Sequence, residues 1–220
     1  MRNGIEISPR REAFQPGIDA LKGLPTSVVS DVLGRLPGTC ALHPVNRSPV
    51  TVCGNAVTVK VRSGDNLLIH KALQLLQPGD VLVVDGEGDT SRALFGEIMM
   101  TVARCRGAVG VVFDGAVRDV EAFEEHRFPC WSRGVNLRGP YKDGPGTINQ
   151  PITVGGALVH PGDVVLGDSD GLVFLTPSIA LEAAKLGKEK VAVEKATIAS
   201  ILAGNYDDAW IEKTLQQKGA

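Results

Sequence analysis

Two short segments constrain the fold more than anything else in the sequence. Val81-Leu-Val-Val-Asp85 and Val109-Gly-Val-Val-Phe113 are almost unbroken apolar runs. Strands of that kind are covered on both faces, the habit of parallel sheets packed between other layers. Between them, residues 92–106 have the length and apolar spacing of a helix that Gly107 ends. Strand, helix and strand of these lengths make a right-handed parallel crossover. The predicted fold class is α/β with a βαβ-rich core.

The remaining elements extend that frame. Thr26 or Ser27 caps a helix over Val28 to Leu33, which Gly34 stops. Alternation marks Asn55 to Arg62 as a strand, and a broad apolar face marks Asn66 to Gln77 as a helix. A third helix is expected from about Arg118 to His126, and short strands over Phe128–Trp131, Ile152–His160 and Leu172–Leu175. Residues 134–151, rich in Gly, Pro and Asn, read as one long loop of the kind that builds sites or interfaces. Pro78-Gly79-Asp80 and Pro161-Gly162-Asp163 echo one another as a single turn chemistry used twice. Residues 1–24 form an irregular arm ending in a short helix, and helices from Ser178 to Leu202 and from Asp207 to about Gln217 form a second arm. With no convincing linker, the expectation is one domain over 1–220, its core about 24–177 and its C-terminal helical arm about 178–218.

Composition removes several function classes. The net charge is -2 with both signs mixed along the chain, and only 5% of residues are aromatic. No basic block or stacking surface points to nucleic acid. No apolar run is long enough to span a bilayer, and the first residues lack a signal-like apolar core, so no membrane partner is expected. Cys40, Cys53, Cys105 and Cys130 are widely spaced without a CxxC pair, as for reduced thiols in a cytoplasmic protein. HExxH, GxGxxG and phosphate-loop patterns are missing.

The chemistry concentrates at Glu97 and at Arg118-Asp119. Each opens a predicted helix just after a buried strand, and twenty residues separate Glu97 from Arg118, enough to return the chain to the same sheet edge. Ligands gather outside the carboxyl ends of parallel strands. Taken singly, Glu97 and Asp119 also make sense as first-turn acids favoured by the helix dipole. Arg118 breaks that reading, because a cation at a helix N-terminus needs a partner. Two carboxylates and a guanidinium together suit a hard divalent cation, magnesium or manganese, and an anionic substrate. The helix start at Glu97-Ile98 suits a small carboxylate. Asn66 lies one turn before His70 on the same helix face, so both reach one ligand, though Asn66 would serve equally as a cap. Glu182, Glu189 and Glu194 most simply decorate a packing arm. Lys60 and Lys71, the candidates for Schiff-base chemistry, sit at no strand-to-helix turn.

Several of these features occur together in one known family. Glu97, twenty residues, then Gly-Ala-Val before Arg118-Asp119, and the run Arg133-Gly-Val-Asn-Leu-Arg-Gly-Pro-Tyr-Lys-Asp-Gly-Pro-Gly146, resemble the 4-hydroxy-4-methyl-2-oxoglutarate aldolase family. That family shares its fold with RraA, the regulator of ribonuclease E activity, and the similarity runs from about Leu24 to Gly204. The resemblance implies a core like a swivelling phosphohistidine domain, with N- and C-terminal helical arms. It implies a class II lyase that cleaves 4-hydroxy-4-methyl-2-oxoglutarate-type or 4-carboxy-4-hydroxy-2-oxoadipate-type acids to pyruvate and a second keto acid, and also decarboxylates oxaloacetate. By the motif, Asp119 would ligate Mg2+ or Mn2+ and Glu97 would hold a water on it. Arg118 would face the keto oxygen, and the N–H groups of Glu97 and Ile98 would hold the pyruvyl carboxylate. Asn66 and His70 match positions lining the family's site. Glu194 matches a catalytic acid supplied by a neighbouring subunit, which implies a homotrimer or homohexamer. The alternative within the resemblance is a non-enzymatic regulator of the RraA type that binds ribonuclease E. Two departures bear on substrate choice: Ala122 stands where many members carry an acid, with Glu121 one place earlier, and position 97 is Glu where Asp is frequent. Nothing supports a methyltransferase, since no glycine-rich S-adenosylmethionine motif follows the first strand.

Overall fold

The expected apolar strands lie at the centre of a ten-stranded sheet. The computed structural model describes residues 4–35 and 37–219, so the first three residues of the expected N-terminal arm lie outside it. The chain begins with β1 (Ile5–Ile7), α1 (Gln15–Leu21), α2 (Thr26–Val32), β2 (His43–Pro44), β3 (Val52–Val61) and α3 (Leu67–Leu73). Next come β4 (Asp80–Asp85), β5 (Ala93–Phe95), α4 (Glu97–Cys105), β6 (Gly110–Val117), α5 (Val120–Glu125) and β7 (Cys130–Val135). Short strands β8 (Gly146–Ile148), β9 (Ile152–Val154) and β10 (Ala157–Val159) precede β11 (Val164–Asp168) and β12 (Gly171–Leu175). The chain closes with α6 (Pro177–Leu202) and α7 (Trp210–Gln217).

β3, β4, β6 and β7 are neighbours in parallel register, joined in turn through α3, α4 and α5. Every residue of β4 and β6 is buried, because both faces of these strands are covered. Strand alternation divides them between two cores. Leu82, Val84, Val111 and Phe113 face the three crossover helices, where Ile69, Met100 and Phe123 meet them. Val81, Val83 and Val112 face the other way, onto Trp131 and the β9–β10 hairpin. A third cluster packs α1, α2 and the first turns of α6 against β11 and β12 through Leu21, Val29, Val173 and Ala183.

The echoed turns use the same bonds. Asp80 N–H reaches the Gln77 carbonyl and Asp163 N–H the His160 carbonyl, each at 3.1 Å. Gly79 and Gly162 take φ of 88° and 89°, and each Asp side chain accepts the N–H three residues back at 2.8 Å. Proline at the second position and a left-handed glycine at the third are what a type II turn requires. One carboxylate is used further: Asp80, fully buried, also meets Arg10 at 2.5 Å and Asn55 at 2.9 Å, which fastens the N-terminal arm to the sheet.

Several expectations need correction; Thr26 and Ser27, expected to cap α2, are instead its first residues, with Pro25 as the cap. The predicted helix over 92–106 is two elements: Ala93, Leu94 and Phe95 are all buried and form a strand parallel to β6, and the helix starts only at Glu97. Three consecutive buried residues suit an extended segment covered on both faces, not a one-sided helix. Arg118 lies outside α5, which begins at Val120 with Asp119 as its cap. Residues 152–160 are a hairpin and not one strand, because Gly155 and Gly156, at φ 56° and 82°, reverse the chain. The loop 134–151 contains β8, which pairs with both β1 and β3. Among the described residues no helix is long and apolar enough to cross a membrane.

Candidate active site

Three strand-to-helix turns converge at the carboxyl ends of the parallel strands. The β3–α3 turn brings Asn66, the β5–α4 turn brings Gly96, Glu97 and Ile98, and the β6–α5 turn brings Arg118 and Asp119. Beneath them, Phe113 of β6 lies with its ring centre 4.8 Å from that of Phe95, and Phe95 lies 6.2 Å from Phe123 of α5. Aromatic pairs at such spacings add about 0.5–1.5 kcal/mol each beyond their burial. They hold the turns that follow Phe95 and precede Phe123 in fixed relation.

The cleft itself is small, about 60 Å3, and its lining includes Asn66, Gly96, Ile98, Arg118, Asp119 and Pro140. Asp119 occupies the left-handed region at φ 55°, ψ 44°, a conformation that Asp tolerates better than most residues. From there its Oδ2 accepts the Glu97 N–H at 3.0 Å and lies 3.6 Å from Arg118 Nε. Asp119 therefore satisfies an amide of α4, the neighbouring turn's helix, while capping α5 by its backbone. Arg118 finds its compensating partner in the same carboxylate. Just under half of each side chain is exposed, 45% and 42%. Gly96 makes this proximity possible: a Cβ there would strike Asp119 Oδ2 and come within 3.0 Å of Arg118 Cγ.

The first intrahelical bond of α4 runs from Met100 N–H to the Gly96 carbonyl at 2.9 Å. The amides of Glu97, Ile98 and Met99 consequently have no carbonyl within the helix. That of Glu97 is committed to Asp119. The Glu97 side chain is exposed and does not line the cleft, whereas its neighbour Ile98, 80% exposed, does.

Asn66 turns out not to act as a side-chain cap. Asp65 Oδ1 takes that part, accepting Leu67 N–H at 2.9 Å. The Asn66 amide instead donates to the Leu94 carbonyl at 3.0 Å, which fixes its orientation. Its Oδ1 is left buried in the cleft wall without a donor. A buried acceptor in that condition is unfavourable unless a ligand or water completes it. His70 lies one turn further along α3, half-buried and outside the cleft lining. Burial first, and the Lys142 charge second, hold its pKa below the usual histidine value, so the ring is neutral near pH 7.

Glu194 does not line this cleft. It sits on α6, whose packing partners are α1, α2 and β12, and its carboxylate meets Lys190 at 3.1 Å. Lys190 also meets Asp31 at 3.1 Å. Lys60 pairs with Asp85 at 3.5 Å, Lys71 bonds Gln74 at 3.0 Å, and neither lines the cleft. Sequence reasoning missed Pro140, which lines the cleft. The signal for it is its place within the Arg-Gly-Pro-Tyr-Lys-Asp run.

Comparison with known proteins agrees with this architecture. The RraA-like family, described as Aldolase/RraA, matches residues 26–174. A relative from Halalkalibacterium halodurans, named "Putative 4-hydroxy-4-methyl-2-oxoglutarate aldolase", is 38% identical over 180 residues, covering 81% of this chain and 85% of the relative. An uncharacterized protein from Pseudomonas syringae pv. tomato superposes with a TM-score of 0.80 at 23% identity, over 90% of this chain and 93% of that one. The RNA-processing inhibitor RraA from Thermus thermophilis superposes with a TM-score of 0.62 at 31% identity, over 69% of this chain and 92% of that one. The turns that bring Asn66, Glu97, Arg118 and Asp119 together all lie within the matched residues, and the chain belongs to the RraA-like family.

Proposed function

We propose that this chain is a divalent-metal-dependent carbon–carbon lyase. Its substrates would be acids of the 4-hydroxy-4-methyl-2-oxoglutarate or 4-carboxy-4-hydroxy-2-oxoadipate type, cleaved to pyruvate and a second 2-oxo acid, with oxaloacetate decarboxylated at the same site. The observation that carries this reading is one cleft holding a half-exposed carboxylate, a half-exposed guanidinium and unpaired helix-start amides. The name of the Halalkalibacterium halodurans relative points the same way.

The residues present fit magnesium or manganese. Among the described residues no three His, Cys, Asp or Glu side chains form a cage. A cation here would be held by Asp119, with solvent and substrate oxygens completing its sphere, as Mg2+ is commonly held. When bound, it supplies positive charge to the 2-keto oxygen of the acid. Arg118 directs its donors at the same developing charge, which is where fixed donors accelerate reaction most. Retro-aldol cleavage and oxaloacetate decarboxylation both pass through a pyruvate enolate, so one set of groups serves both. Of the two amides expected to hold the substrate carboxylate, that of Ile98 lacks a helical acceptor, whereas that of Glu97 is shared with Asp119. Asn66 Oδ1 accepts a hydrogen from a substrate hydroxyl or a water. The exposed Glu97 carboxylate moves the C4 hydroxyl proton, alone or with Glu194 of a second copy.

Incubation with Mg2+ or Mn2+ and oxaloacetate, or a 4-hydroxy-2-oxo diacid, is expected to release pyruvate, read by coupled reduction. Absence of pyruvate from all these acids, with the metal shown to bind, removes the lyase reading. The likeness to the Thermus RraA favours a second reading, a non-enzymatic regulator of an RNA-processing nuclease. Tight, metal-independent capture of ribonuclease E by a protein without turnover would establish that one instead.

A trimer or hexamer follows from the same proposal. Ile98 and Leu137 near the cleft are 80% and 86% exposed, and Leu202 on α6 is 83% exposed. Glu194 reaches a cleft only if another copy's α6 lies across it. Glu194→Gln keeps size and removes the charge, and is expected to lower turnover on the order of a hundredfold, as loss of a proton-transfer group does. Light scattering is expected to show the oligomer unchanged. Wild-type turnover in that variant would make α6 a packing arm only.

A further inference from the structure

Pro140 forms part of the cleft wall but has no N–H to anchor it, and its ring offers no polar group. The wall is held from both sides by one side chain. Arg92 Nη1 donates to the Gly139 carbonyl at 2.8 Å, and Nη2 donates to Tyr141 Oη at 2.8 Å. The guanidinium carbon lies 4.2 Å from the centre of the Tyr141 ring, within cation–π range. Tyr141 is tied in turn to the turn that carries Asn66. Its N–H reaches the Gly64 carbonyl at 2.8 Å, and Asn66 N–H reaches the Tyr141 carbonyl at 3.0 Å. The stem of Arg92 passes over Gly64, where a Cβ would come within 3.1 Å of Arg92 Cδ. On the other side of the wall, a Cβ on Gly139 would stand 3.5 Å from Arg118 Nη1.

We propose that Arg92 is a positioning residue that clamps Gly139–Tyr141, and so fixes both the cleft wall and the place where the Arg118 guanidinium rests. Its kinetic consequences rest on the lyase reading; its structural consequences do not. The clamp needs the planar fork. A lysine ammonium is a single charged point and cannot bridge two acceptors while stacking on a ring. Arg118 acts on charge that develops as the enolate forms, so a loosened wall lowers kcat more than it changes KM.

Arg92→Lys and Arg92→Met test this, since both keep much of the stem that crosses Gly64. Both variants are expected to melt cooperatively near the wild-type temperature. Turnover of oxaloacetate with Mg2+ is expected to fall about ten- to a hundredfold in kcat, as misplacement of a reacting group by an ångström does. Hydrogen exchange at the Tyr141 amide is expected to quicken about tenfold, the effect of losing one charged hydrogen bond. Wild-type kcat, a rise confined to KM, or unchanged exchange at Tyr141 in both variants would overturn the clamp. If the wild-type protein makes no pyruvate from any of the acids, the lyase reading falls, and the amide exchange still decides whether Arg92 holds the wall.

Discussion

Replacing Asp119 with Asn is expected to leave a folded protein that neither binds Mg2+ or Mn2+ measurably nor turns over 2-oxo acids. The carboxylate is the one proposed direct protein ligand, and an amide oxygen carries no full negative charge with which to hold a divalent ion. Structure survives because Asn, like Asp, tolerates the left-handed conformation at φ 55°. Its side-chain oxygen can still accept the Glu97 N–H. Asp119→Ala removes the same ligand but also places a Cβ-bearing residue without local hydrogen bonding in that region, at an added cost of about 1–2 kcal/mol. Calorimetric titration with Mn2+ separates the two effects: both variants lose the metal, and only Ala lowers the melting temperature. Wild-type metal affinity in Asp119→Asn would move the cation away from position 119.

The second large effect is at Arg118. Arg118→Lys keeps the charge and is expected to lower kcat by roughly a hundredfold or more, as loss of an oxyanion donor does. The Arg118 side chain lies between two glycines: its Cγ and Nε pass Gly96, and its Nη1 faces Gly139. A flat, forked group suits that slot, and an ammonium at the end of a flexible chain does not reproduce its donors. The backbone of residue 118 is held independently by its N–H to the Phe95 carbonyl at 2.9 Å, so the fold is retained. Steady-state kinetics decide the role. A fall in kcat and kcat/KM together marks stabilisation of the transition state, and a rise in KM alone reduces Arg118 to a binding group.

The parts of the fold that could be read ahead were those written in local chemistry. The apolar runs of β4 and β6 announced a covered parallel sheet, and the Pro-Gly-Asp turns carried their own geometry. The strands that escaped reading owe their existence to distant partners. β5 is three residues long and extended because β6 runs beside it; β8 exists because β1 and β3 lie on either side of it. At the proposed site, the residue types at Glu97, Arg118 and Asp119 are what point to chemistry in the sequence. The left-handed turn of Asp119, the unsatisfied oxygen of Asn66 and the grip of Arg92 on the Gly139 carbonyl depend on where separate segments meet. Local sequence carries no record of that meeting.

The convergence of three turns has a consequence for how such a protein changes over time. Asn66, Ile98 and Asp119 are each carried by a different loop, and each loop is anchored by its own largely buried strand. A substitution or insertion in one loop alters one chemical contribution and leaves the scaffold and the other two intact. On the proposed lyase reading, a lineage could exchange the acid it recognises, or lose turnover altogether, without losing the fold. One architecture shared by relatives named for an aldolase and for an inhibitor of RNA processing is the pattern such separable loops would produce.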